Sequence, residues 1–334
     1  MNLTSKIEEG PEGPSFCQEN SKTNFLNHSF YDDADKFSKI VKAKAINLIS
    51  DSIKHSGFPK EMLKTLFEGK QTRSHFIFSI GSSLDTDFER MVNLAVAMEL
   101  LHEASLVHDD VQDGQKYRRN IPTVWFKYSV SEAISWGDFL LSLTFEPLLL
   151  DSIHCRSDVI NINLTLRKML EGQNKEQTTK GKKIDLKDYI EIVNLKTGSL
   201  LELPILFLFS PDSPQFTVLK KACSSLGMAY QIRNDLNDFL KGVDGVDYQN
   251  KISSLPFIKL YDERKKHQLN YLFENIFNSP ILEEEFKSIS LECHKMIQQN
   301  ITYFNSIFKD LIKPQCYDFL TKCLDKYFVG KLMQ

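Results

Sequence analysis

From about Asp33 to near the end of the chain, apolar residues recur at helical spacing with almost nothing to interrupt them. FERMVNLAVAMELLHEASLVHDD sets Leu94, Met98, Leu101 and Ser105 at steps of four, three and four. FSKIVKAKAINLISDSI places Ile40, Ala43, Ile46, Leu48 and Ile49 near one face. LKDYIEIVNLKTGSLLELPILFLF, VLKKACSSLGMAYQIRNDLNDFL and the stretch from Glu283 to Phe308 read the same way. No segment alternates convincingly with period two. Turn formers are scarce: 14 glycines and 11 prolines in 334 residues, about 7% against the roughly 12% of average chains. That argues against a many-stranded β sandwich or barrel and predicts an all-α chain of ten or more helices. There is no internal repeat, and no helix-poor linker divides the chain, although residues 241–256 read as one longer loop.

The beginning differs. MNLTSKIEEGPEGPSFCQENSKTNF is polar and has no apolar period. It predicts a disordered polar tail over residues 1–35, ahead of one domain over residues 36–334. It has neither the apolar core of a secretory signal nor the arginines of a transit peptide. The longest apolar candidate, Leu203–Phe209, contains Pro204 and falls far short of the ~18–20 residues of a membrane span. It reads as a buried helix, so no integral membrane segment is expected. With 41 basic and 44 acidic residues the net charge is −3, which gives no global attraction to nucleic acid. Cys17, Cys155, Cys223, Cys293, Cys316 and Cys323 form no CxxC or CxH pair. A zinc site and a disulfide framework are both unexpected, and reduced thiols in a cytoplasm are predicted.

The chemistry concentrates at helix ends. In HEASLVHDDVQD, His102, Asp109 and Asp113 lie within about 20° of one line down a helix. Like carboxylates one turn apart repel, and a helix C-terminus disfavours negative charge. A cation between them relieves both penalties, and oxygen-only ligands suit Mg²⁺, which shares itself readily with phosphate. The bland alternative is a solvated acidic helix end. The largely apolar run from Leu94 to Val107 directly before the acids counts against it. A second stretch, QIRNDLND, puts Gln231, Asn234 and Asp238 on one face, with Asp235 beside them. Arg118 and Arg119 follow the first motif, Lys70 and Arg73 sit in EGKQTRS, and Lys196 in LKTGS. Each alone reads as a surface cation. Together with two acidic helix ends they suit one diphosphate carried on metal and another held by side chains.

These motifs resemble those of the trans-isoprenyl diphosphate synthases, or polyprenyl synthetases. The resemblance runs over roughly residues 35–330 and rests on ELLHEASLVHDDVQDGQKYRRNIPTVW with the later GDFLL, and on GKQTR, KTGSLLELP and GMAYQIRNDLNDF, in the family's order. It implies an isoprenoid synthase fold, a single large helical bundle around a central cavity, as a homodimer. It also implies about three Mg²⁺ ions as cofactor, and isopentenyl diphosphate plus an allylic diphosphate as substrates. Asp109 and Asp113 would carry metal with Asp110 supporting them, and Asn234, Asp235 and Asp238 would hold the rest. Arg118 and Lys196 would meet the allylic diphosphate, and Lys70, Arg73, His102 and Arg119 the isopentenyl diphosphate. Thr197 and Gln231 match positions lining the reacting groups.

Product length turns on Ala104 and Ser105, where a bulky aromatic closes the cavity in short-chain members. Both are small here, with Leu101, Phe139 or Phe145 as a deeper floor. The expected product therefore has twenty carbons or more. Two departures stand out: the second motif reads NDLND, one charge short of DDxxD, and the lysine after it, Lys241 or Lys251, does not align securely. Such changes keep other readings open: a terpene cyclase, a peptide-tryptophan prenyltransferase, or a non-catalytic regulatory subunit. The cations of the second diphosphate pocket favour chain elongation.

Overall fold

The computed structural model describes residues 30–69, 71–267 and 273–328. Eleven helices of eight or more residues make up nearly all of it: α1 (Phe30–Ser52), α2 (Thr72–Ser83), α3 (Phe88–Gln112), α4 (Val130–Leu143), α5 (Cys155–Thr179), α6 (Leu186–Val193), α7 (Ser199–Leu208), α8 (Phe216–Phe239), α9 (Leu255–His267), α10 (Glu283–Phe308) and α11 (Pro314–Phe328). The all-α expectation holds. α1 begins at Phe30, inside the stretch read as polar tail, and residues 1–29 lie outside the described residues. The expected loop over 241–256 contains two short helical turns, Gly242–Asp244 and Val246–Gln249, before α9 starts at Leu255.

α3 is the axis of the molecule. Every residue from Met91 to Leu101 is buried, so this helix is enclosed on all sides rather than amphipathic. Its start is set by Asp87, whose side chain accepts from the Arg90 amide at 2.9 Å. The apolar core forms two clusters. One gathers α1, α3, α4 and α5, and the other gathers α6, α8, α9, α10 and α11. Helices α2, α7 and α11 contribute to both: Phe78, Leu203 and Phe319 face the first, Phe76, Ile205 and Leu320 the second. The two halves are therefore joined through shared helices, with α3 central to one and α8 to the other.

The burial of α1 differs from expectation. Its buried face is Ala34, Phe37, Val41, Ala45 and Ile49, while Ile40, Ile46 and Leu48 flank it and Ala43 is exposed. The ring of Phe37, tilted against Phe78 and edge-on to Phe88, draws its own i+4 neighbour Val41 inward. One small sheet interrupts the helices. Tyr117–Arg118 pairs antiparallel with Ile121–Pro122, leaving Arg119 and Asn120 as a two-residue turn. Both have positive φ, 52° and 65°, the requirement of a type I′ hairpin. The five described cysteines, Cys155, Cys223, Cys293, Cys316 and Cys323, are all free thiols. Among the described residues no helix is long and apolar enough to cross a membrane.

Candidate active site

The last turn of α3 presents three carboxylates with different environments. Asp110 is buried and tied to the hairpin: Arg118 donates to its Oδ1 from Nε at 3.0 Å and Nη2 at 2.6 Å. Asp113 caps the helix and receives Gln177 Nε2 at 3.2 Å, with Lys180 Nζ at 3.4 Å. Asp109 is half-buried, and burial pushes its pKa up to about 6, with Asp113 and Glu176 adding to the rise and Lys196 and Arg118 opposing it. Burial also raises Asp110, against the pull of Arg118.

The α8 end is assembled from other elements. Asp235 accepts from Tyr189 OH and Gln231 Nε2, each at 2.7 Å, and Thr197 Oγ1 donates to Gln231 Oε1 at 2.9 Å. Burial raises Asp235 to about 6 in spite of these donors. Asp238 accepts from Lys241 Nζ at 2.8 Å and from the Asp247 amide at 2.7 Å. Of the two candidate lysines, Lys241 thus pairs with the acidic motif. Asn234 is half-buried between these acids on the same helix.

Glu176 of α5 links the two ends. Its Oε2 accepts from Lys196 Nζ at 2.6 Å, and its charge acts on Asp109, Asp235 and Asp247. Burial alone lowers the affinity of Lys196 for its proton, but Glu176 and then Asp109 reverse that and hold it firmly charged. Asn250 adds a direct tie, donating to the Asp113 carbonyl at 2.8 Å across 137 residues of chain. Lys196 and Thr197 lie on a π-helical segment, Asn194–Gly198, inserted between α6 and α7, a feature enriched at functional sites. Glycines let neighbouring helices close on it. A Cβ on Gly172 would lie 2.6 Å from the Lys196 nitrogen, and one on Gly227 would lie 2.9 Å from the Gly198 Cα.

Three of the groups expected around a second diphosphate, Arg73, His102 and Arg119, come together about two turns earlier along α3. His102 lies within the fields of Arg73, Arg118 and Arg119, and burial followed by these charges holds it neutral, well below its usual pKa. The Arg119 guanidinium lies over Gly69: a Cβ there would stand 3.0 Å from Nη2. Arg73 Nε is buried without a hydrogen-bond partner among the described residues. Lys70 lies outside the described residues. Ser105, on the Asp109 side of α3, is half-buried and donates to the His102 carbonyl at 2.7 Å. Ala104, about 140° round from Asp109, and Leu101 are packed into the core.

Sequence reasoning missed Glu176, Tyr189, Asp247, Gln177, Lys180 and Asn250. None falls in an acidic or cationic motif, and each reaches its partner from another helix or loop. Among the described residues no three His, Cys, Asp or Glu side chains converge as a metal cluster. The donor chemistry nevertheless fits a hard divalent cation. The candidate donors are all oxygen, and burial first, with Glu176 adding to it, holds Asp109 and Asp235 above the usual carboxylate range.

A family profile described as polyprenyl synthetase matches residues 58–292. The chain is 25% identical over 249 residues to the short chain isoprenyl diphosphate synthase of Methanocaldococcus jannaschii, covering 70% of this chain and 74% of that one. It is 27% identical over 262 residues to the decaprenyl-diphosphate synthase of Dictyostelium discoideum, covering 74% of this chain and 56% of that one. Its structure is similar to geranylgeranyl pyrophosphate synthetase from the archaeon Geoglobus acetivorans, with a TM-score of 0.71, 22% identity, and coverage of 89% of this chain and 99% of that one. The chain belongs to the polyprenyl synthetase family and is an enzyme of the trans-prenyltransferase class.

Burial of Asp109 predicts a pH signature. Its folded pKa, about 6, lies above the ordinary value of 3.8 that holds in the unfolded chain. Its contribution to stability is therefore complete below about pH 4 and lost as pH rises through about 6. In metal-free buffer at pH 8, Asp109→Asn should be more stable than wild type by up to about 3 kcal/mol, and the gap should vanish towards pH 4. Urea midpoints over that range measure it. A gap independent of pH would show that burial does not strain this carboxylate.

Proposed function

We propose that the enzyme condenses isopentenyl diphosphate with an allylic diphosphate to give a trans-polyprenyl diphosphate of twenty carbons or more. The observation that carries this reading is the separation of two charge zones along α3. His102, ringed by arginines, and the Asp109–Glu176–Lys196 cluster stand seven residues apart, about 10 Å along a helix. One zone suits a diphosphate held by side chains, the other a diphosphate carried on metal.

Asp109, Asp113, Asn234, Asp235 and Asp238 would hold Mg²⁺, which supplies charge to the departing diphosphate when bound. Lys196, kept charged by Glu176, and Arg118, anchored on Asp110, add fixed positive charge where the leaving group collects its electrons. The allylic C–O bond breaks, the double bond of isopentenyl diphosphate attacks the resulting carbon, and the departing diphosphate accepts the released proton. No side-chain base is needed. His102 takes part as a neutral hydrogen-bond donor beside Arg73 and Arg119. The Thr197–Gln231–Asp235 chain fixes side chains that would face the reacting groups. A cyclase has no use for the second cation zone, which favours elongation over that alternative.

Small residues at 104 and 105 support a long product, and of the two Ser105 lies nearer the Asp109 face. Exposed apolar side chains on α4 (Val130, Ile134) and α5 (Ile160, Leu164) support a homodimer. The free thiols suit a cytoplasm.

The test is incubation with Mg²⁺, labelled isopentenyl diphosphate and dimethylallyl, geranyl or farnesyl diphosphate, followed by sizing of the extracted products. Incorporation of label into chains of twenty carbons or more is expected, with Asp113→Ala reducing turnover at least ~100-fold and Ser105→Phe shortening the product. Consumption of allylic substrate alone to a cyclic hydrocarbon would overturn the assignment. An unchanged product length in Ser105→Phe would refute the view of the cavity.

A further inference from the structure

A second stripe of acids on α3 is used by nothing described so far. Glu99 and Glu103 are one turn apart, 3% and 6% exposed, on the side facing the 66–74 segment rather than the metal zone. Carboxylates buried beside a diphosphate site repel the substrate and are costly to desolvate. Their hydrogen bonds show what they do instead. Glu99 Oε1 accepts from the Ser74 amide at 3.1 Å and the Ser74 hydroxyl at 2.7 Å, fixing the first turn of α2. Glu103 Oε1 accepts from the Phe67 amide at 3.2 Å.

The Phe67 amide is a telling place for that bond. Phe67 has a φ of 57°, in the left-handed region that a bulky side chain rarely adopts. Its ring is buried, so the turn is held from two sides. The chain then runs through Gly69, on which the Arg119 guanidinium rests, and through Gln71, whose φ is 48°. It enters α2 immediately before Arg73. The Glu103 carboxylate also acts electrostatically on Arg73, Arg118 and Arg119. It therefore stands where the backbone of the loop and the arginines of the cation zone meet.

We propose that Glu103 is a positioning residue for the cation zone: by holding the Phe67 amide it sets the loop that places Arg73 and the glycine seat of Arg119 for isopentenyl diphosphate. This rests on the condensation reading above. Glu103 does not touch the substrate, and its effect is confined to one of the two substrates.

The test uses the full chain. Binding of isopentenyl diphosphate is measured by titration calorimetry, with KM for both substrates in parallel. Glu103→Gln keeps an acceptor at the same place, and binding within about threefold of wild type is expected. Glu103→Leu removes the acceptor, and Glu103→Asp withdraws it by one methylene. Each should weaken isopentenyl diphosphate about tenfold or more, the scale of misplacing binding groups by an ångström or so, with KM for the allylic diphosphate changed less than twofold. If Glu103→Leu does not fold by circular dichroism, Glu103→Asp carries the comparison. Isopentenyl diphosphate binding within about threefold of wild type in folded Glu103→Leu or Glu103→Asp, or equal loss for both substrates, would overturn the proposal. A wild-type chain that condenses nothing but binds isopentenyl diphosphate with this pattern keeps the inference and removes only the catalytic reading. A chain that neither binds nor condenses it removes both.

Discussion

Like charges gathered at the ends of buried helices are the constraint on which the rest of the structure depends. Asp109 and Asp113 end α3, and Asp235 and Asp238 end α8, each helix lying inside its own apolar cluster. A helix C-terminus disfavours negative charge, and burial disfavours it further. The protein answers with donors drawn from elsewhere: Lys180 and Gln177 on Asp113, Tyr189 and Gln231 on Asp235, Lys241 on Asp238. The compensation is incomplete, because Asp109 and Asp235 both remain raised to about 6. On the proposed reading, a cation arriving with the substrate supplies the missing counter-charge.

Glu176 and Lys196 make that site one object rather than two. Their ion pair lies where it influences both helix ends, and it depends on close helix packing. The π turn at Asn194–Gly198 brings Lys196 and Thr197 inward, and the bare faces of Gly172 and Gly227 admit it. Two turns back along α3 the second zone is organised by a different device. The left-handed residues Phe67, Gln71, Arg119 and Asn120 aim a loop and a hairpin at each other, and buried glutamates hold the loop end. Strained backbone thus collects where a diphosphate is expected and is over-determined by the packing around it.

Much of this was legible in the sequence, because it depends on short-range periodicity. The continuous burial of α3 follows from MVNLAVAMELL, which offers no polar face. The clustering of Asp109 and Asp113 follows from their four-residue spacing alone. The grouping of Arg73, His102 and Arg119 came only through resemblance, and the structure brings those three together. What was not legible depends on long-range contact. Glu176 meets Lys196 across 20 residues, Tyr189 meets Asp235 across 46, and Asn250 meets Asp113 across 137. No local pattern distinguishes these side chains from surface polar residues. The hairpin escaped for a different reason: Arg-Asn is not a recognised type I′ pair, and its two-residue strands are too short for alternation.

The central claim is that the acids of α3 and α8 act as a single site for metal and diphosphate together. Thermal unfolding of the full chain with Mg²⁺ and inorganic diphosphate, each alone and both combined, tests it most directly, since a ligand that binds only the folded state raises Tm. The account predicts a clear rise with both present, little with either alone, and loss of the rise in Asp109→Ala and, independently, in Asp235→Ala. A rise that survives in either variant would contradict it, because the two helix ends would then bind separately.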